Sequence, residues 1–126
     1  MKRIWIALAF IIFALSMGVF EYVYVKNTYE KCMDNIEKCY TYFSSNEYNK
    51  AYTECKYAEK TWNNSSKILS IFLVHSQLND ISKNIDELCD SAKNNDKKQF
   101  NTCYKTTKRQ LLFVKKSELP DLENIL

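Results

Sequence analysis

The stretch KRIWIALAFIIFALSMGVFEYVYV, residues 2–25, decides how this chain is read. Lys2 and Arg3 precede an uncharged run from Ile4 to Phe20, and apolar character continues past Glu21 to Val25. As a helix rising about 1.5 Å per residue, Ile4 to Val25 spans roughly 33 Å, enough for a hydrocarbon core of about 30 Å. Trp5 stands near one end, Tyr22 and Tyr24 near the other, and amphipathic rings favour the headgroup level. Cations before a first span stay in the cytoplasm, so the expected topology puts residues 26–126 outside it. The rival reading is a cleaved signal peptide, since Ala14-Leu15-Ser16 has small residues at suitable offsets. The uncleaved anchor is preferred because the apolar spacing runs on into the next helix. Ala14 and Gly18 form a small-xxx-small pair, a spacing that permits close helix contact in lipid.

Beyond residue 25 about 100 residues remain, enough for one domain with one modest core. One glycine and one proline in 126 residues disfavour sheets with many tight turns. They suit long helices joined by short polar turns. The expected fold is all-α: a transmembrane helix (1–25) continuing into an extracytoplasmic antiparallel bundle of about four helices (26–126).

Apolar spacing outlines those helices. Val25, Tyr29, Cys32, Ile36, Cys39 and Phe43 make one seam, ended by Ser44-Ser45-Asn46, where Ser44 and Glu47 suit a capping box. Tyr48, Ala51, Tyr52, Cys55, Ala58 and Trp62 mark a second helix, with Asn63-Asn64-Ser65-Ser66 as its expected break. A third is expected over Ile71, Val74, Leu78, Ile81, Ile85, Leu88 and Ala92, ended by Asn94-Asn95. The fourth opens at Asp96, with Gln99 in its cap, and carries Phe100, Cys103, Tyr104, Thr107, Leu111 and Val114 before Pro120.

The cysteines are Cys32, Cys39, Cys55, Cys89 and Cys103. An oxidising compartment permits disulfides, and an odd number leaves one thiol over in a monomer. In an antiparallel hairpin turning near residue 95, Cys89 and Cys103 come level and form the candidate disulfide. In the first hairpin Cys55 lies level with positions between Cys32 and Cys39. The default reading has most of the five as small buried core residues.

Short turns alternate the helix directions. The second helix then returns toward the membrane, as does the fourth. This brings the apolar runs 68–74 and 111–114 to one end of the bundle. Ile71, Phe72, His75, Leu111 and Leu112 are the candidate contacts with a membrane partner or the bilayer. Residues 93–116 hold eight basic residues against Asp96, within a chain of 16 lysines and 2 arginines. Lys105, Lys108, Arg109, Lys115 and Lys116 are the candidate contacts with an anionic lipid surface or surface polymer. The outward-facing domain and the few guanidinium groups speak against nucleic acid.

Catalysis is not expected. His75 is the only histidine, and Gly-x-Ser-x-Gly, phosphate-loop and His-Glu-x-x-His patterns are absent. One histidine with scattered cysteines makes a poor metal set, and no cofactor is expected. His75 is expected to tuck in beside Asn79.

Tyr48, Ala51 and Tyr52, then Trp62, then Leu69, Phe72 and His75, then an aliphatic helix and a terminal LPDLENIL follow in order. This layout resembles a family of short single-span proteins of unknown function from spore-forming Gram-positive bacteria. The resemblance implies an uncleaved anchor and an outward-facing helical domain. It makes Trp62, His75 and Asn124-Ile125-Leu126 candidates for a shared structural or contact role. It supplies no activity, and the cysteines lie outside its pattern. The leading expectation is an accessory subunit docking on a multi-span membrane protein or on its own copies. A binding module for anionic polymer or lipid and a thiol sensor built on Cys32, Cys39 and Cys55 are the alternatives.

Overall fold

Helix α1 runs from Lys2 to Ser44 without a break. Three helices follow: α2 (Tyr48–Leu69), α3 (His75–Lys93) and α4 (Lys97–Glu118). The computed structural model describes residues 1–71 and 73–118. Among them there is no strand, and the expected all-α class with four helices is what the chain adopts.

The lower part of α1 stands apart from the bundle. Residues 1–20 are exposed, packing begins at Glu21, and Val25 is already buried. Val25, the first residue of the apolar seam read from the sequence, belongs to the bundle core. Nothing lies within 4 Å of where a Cβ on Gly18 would stand.

The upper part of α1 buries Val25, Thr28, Cys32, Ile36, Cys39 and Phe43, one stripe at steps of three and four. That stripe meets α2 through Ala51, Cys55, Ala58 and Trp62. The small side chains allow close approach, and Cys32 Sγ lies 3.9 Å from the Ala58 carbonyl oxygen. α2 packs on α3, α3 on α4, and α4 closes back on α1. The result is an up-down ring of four helices around one core.

α2 does not break at Asn63–Ser66; it continues to Leu69. Asn63 and Asn64 face solvent, and Ser66 Oγ donates to the Asn63 carbonyl at 2.8 Å, so these polar groups are satisfied on the helix itself. Trp62 and Leu69, both buried, hold either side of this segment to the core. Trp62 Nε1 also donates to the Leu78 carbonyl at 3.3 Å, tying α2 to α3. The expected start of the third helix also moves. Ile71 and Val74 lie in the connector, and α3 opens at His75.

The two distal turns share one design. Asn46 (φ 63°) and Asn95 (φ 57°) take the left-handed conformation. Glu47 N–H donates to Tyr42 O and Asn46 N–H to Phe43 O; Asp96 N–H donates to Ser91 O and Asn95 N–H to Ala92 O. These paired bonds close the last carbonyls of α1 and α3. The expected Ser44–Glu47 capping box does not form, because Glu47 is itself the N-cap residue of α2. The Asp96 cap does form: its carboxylate accepts from the Gln99 N–H at 3.1 Å.

Candidate functional site

At the end of the bundle where the exposed rod departs, the surface turns apolar. Ile71 is 70% exposed, Val74 62%, Phe113 59% and Leu112 39%. Leu73, between the first two, is buried and pins the connector to the core. Counting along antiparallel helices from the Cys32–Ala58 contact, Leu69 lies level with Glu21. The connector therefore flanks the last exposed turn of the rod. Lys115 stands over the Tyr29 ring, 4.7 Å from its centroid, which brings the end of α4 to the same side.

Of the predicted contact residues, Ile71 and Leu112 are exposed as the reading requires. Leu111 is not a contact residue: it is 1% exposed, because it continues the buried α4 stripe of Phe100, Cys103 and Thr107. Phe72 and the terminal Asn124-Ile125-Leu126 lie outside the described residues. His75 is exposed at the first position of α3 and makes no hydrogen bond to Asn79. Val74 and Phe113 are contact-grade surface that spacing missed. Both occur in continuous apolar runs, where periodicity cannot tell the inner face from the outer.

Beside this surface a groove of about 350 Å³ runs between α3 and α4, lined by Gln77, Asp80, Ile81, Arg109, Gln110, Phe113 and Val114. Above it Asn84 donates to Gln110, clamping the two helices. The groove offers an apolar floor with one cation and one anion at its rim. On α3 its lining runs from Gln77 to Ile81, about 3–9 Å along the helix from His75.

The predicted basic stripe is partly committed within the chain. Lys108 Nζ pairs with Glu37 at 2.9 Å, and it also donates to Tyr104 Oη at 3.2 Å. Tyr104 in turn donates to the Glu37 carboxylate at 2.9 Å. The Glu37 carboxylate, and after it Tyr104, hold the Lys108 ammonium above its ordinary range. Burial pushes the Tyr104 phenol up. With Lys115 placed over Tyr29, the remaining exposed cations of the predicted set are Lys105, Arg109 and Lys116.

The cysteines pair differently from the expectation. Cys89 is bonded to Cys55, with Cα atoms 5.4 Å apart, and Cys103 is free. Level positions on two antiparallel helices share a height, while rotation about each helix axis decides which flanks meet. Cys89 sits one turn above Ile85, whose carbonyl oxygen lies 3.6 Å from Cys55 Sγ; that flank of α3 faces α2. Cys32, Cys39 and Cys103 are buried thiols. Burial pushes Cys32 up to about 12, and burial with Glu54 does the same to Cys39. Burial, with Glu87 and Asp96, raises Cys103 as well. Protonated thiols at neutral pH are poor nucleophiles and poor ligands. Among the described residues no group of His, Cys, Asp and Glu gathers as a metal set would.

At the far end, the turns at Asn46 and Asn95 border an open cleft of about 620 Å³. It contains Tyr52, whose ring has Lys93 5.9 Å from its centroid.

The arrangement defines a class: an all-α bundle of four described helices whose first helix extends into a long apolar rod. The chain belongs to the family described as a domain of unknown function, DUF4363, matched over residues 19–125. The match begins next to Glu21, where packing begins, and so covers the bundle rather than most of the rod. No curated protein and no solved structure matches the chain.

Proposed function

We propose that this is a single-span, membrane-anchored protein whose bundle lies outside the cytoplasm. In this reading it acts as a non-enzymatic accessory subunit docking on a larger membrane protein. The observation that carries it is exposed Leu112 and Phe113 beside the α3–α4 groove, on the half of the bundle nearest the rod. Apolar surface in that position suits a partner held in the same bilayer, because shared anchoring raises the effective concentration of the two proteins.

Three further features support the reading. Residues 1–20 are exposed, and as a helix they reach about 30 Å, the thickness of a hydrocarbon core. Lys2 and Arg3 favour a cytoplasmic N-terminus. The Cys55–Cys89 bond suits a compartment without a reducing thiol pool.

Photo-crosslinkers at Leu112 and Phe113 of the full chain, in its native membrane, test the proposal. The expected product is a stoichiometric adduct with one multi-span protein, lost in Phe113→Asp while helicity persists. Undiminished association in a folded Phe113→Asp variant would count against it. The alternative, an anionic-polymer or lipid module on α4, retains Lys105, Arg109 and Lys116. It requires binding that collapses with added salt.

A further inference from the structure

The connector between α2 and α3 has an unusual balance of groups. It exposes two aliphatic side chains, Ile71 and Val74, while the backbone donors of Ser70, Ile71 and Leu73 are bonded inside the chain. The Ser70 N–H donates to Ser66 O at 2.8 Å, Ile71 N–H to Ile68 O at 3.1 Å, and Leu73 N–H to Leu69 O at 2.8 Å. Ser70 Oγ donates to Lys67 O at 2.6 Å. Each donor bonded within the turn lowers the cost of leaving water, and aliphatics shown outward favour an interfacial layer.

Its position suits the same layer. Leu69 lies level with Glu21, so Ile71 is level with the final turn of the exposed rod. The terminal turns at this end of the bundle contribute the exposed Lys67 and Lys116. Long ammonium arms beside an apolar tip can lie along it and reach phosphates.

We propose that Ile71 and Val74 form a lipid-contact tip, seated in the headgroup layer of the bilayer that holds the rod. The inference rests on the anchored reading above and adds a second attachment to it. Its occupant is lipid, whereas the α3–α4 groove is left to protein. With the rod as one point of attachment and the tip as another, the bundle is fixed in rotation about the rod.

The test uses the full chain in phosphatidylcholine–phosphatidylglycerol nanodiscs with labelled Ile and Val methyl groups. Two nitroxide lipids serve as probes, one labelled on the headgroup and one deep in the acyl chain. The headgroup probe is expected to remove most of the Ile71 and Val74 methyl intensity and to spare Ile36 and Ile85 in the core. The deep probe is expected to remove Ile11 and Ile12. Full Ile71 and Val74 intensity with Ile11 and Ile12 bleached would leave a spanning rod with its bundle held clear of lipid, overturning the proposal alone. Full intensity at all four would defeat the anchored reading as well. Ile71 and Val74 shifts that follow the number of chains per disc, without bleaching, would assign the tip to a second copy and overturn the proposal.

Discussion

Cys32 and Cys39 sit on the buried stripe of α1, where a thiolate would have to form without water. Their folded pKa of about 12 lies above the ordinary thiol value, so the native state holds these protons more tightly than the unfolded chain. The sign follows directly. The stability they contribute is complete below about pH 9 and is lost as pH rises toward about 12. Urea midpoints measured from pH 8 upward should fall, and Cys32→Ala with Cys39→Ala should flatten that fall. A midpoint equally steep in the double variant would assign the alkaline loss elsewhere. At pH 8 the same thiols should be silent to a disulfide reagent until denaturant is added. Their burial is legible in the sequence as seam positions, a spacing that carries no redox signal.

At the scale of the element, Asn46 and Asn95 do what glycine does in most helix ends. In both, the left-handed residue lets two consecutive N–H groups fold back onto the last carbonyls. Asn95→Ala should cost about 1 kcal/mol, since a Cβ without a compensating side-chain amide is strained there. Asn95→Gly should be close to neutral. Thermal unfolding followed by circular dichroism compares them, and equal midpoints for Ala and Gly would show that the turn is not conformationally limited. These two turns could be read from sequence because Ser and Asn clusters coincide with a loss of apolar spacing. The cluster at 63–66 looked the same and was misread. There the buried positions Trp62 and Leu69 lie two turns apart on one face, and that continuity outweighs the local preference of Asn and Ser. The start of α3 was misplaced for the opposite reason. In Ile68–Val74 every register looks apolar, so nothing in the pattern marks where the helix stops.

For the whole molecule, the disulfide ties α2 to α3 across 34 residues of sequence, and no cross-link reaches α1. Chain entropy assigns such a loop about 3–4 kcal/mol. Cys55→Ala with Cys89→Ala should lower unfolding stability by that order, and added reductant should then have no further effect. A loss below about 1 kcal/mol would mean that helix packing alone sets stability. Fold class and helix order could be read from periodicity, because apolar stripes are a property of each helix. Pairings between helices could not, because rotation about each axis is set by the assembled ring. For the same reason Lys108 and Lys115 read as a free basic stripe while the fold turns them onto Glu37 and Tyr29. The unbroken course of α1 has a mechanical consequence. A single helix from Lys2 to Ser44 contains no hinge, so a tilt imposed on its apolar half swings the far turns at Asn46 through an arc. In that geometry the cleft beside Asn46 lies at the far end of the arc from Lys2.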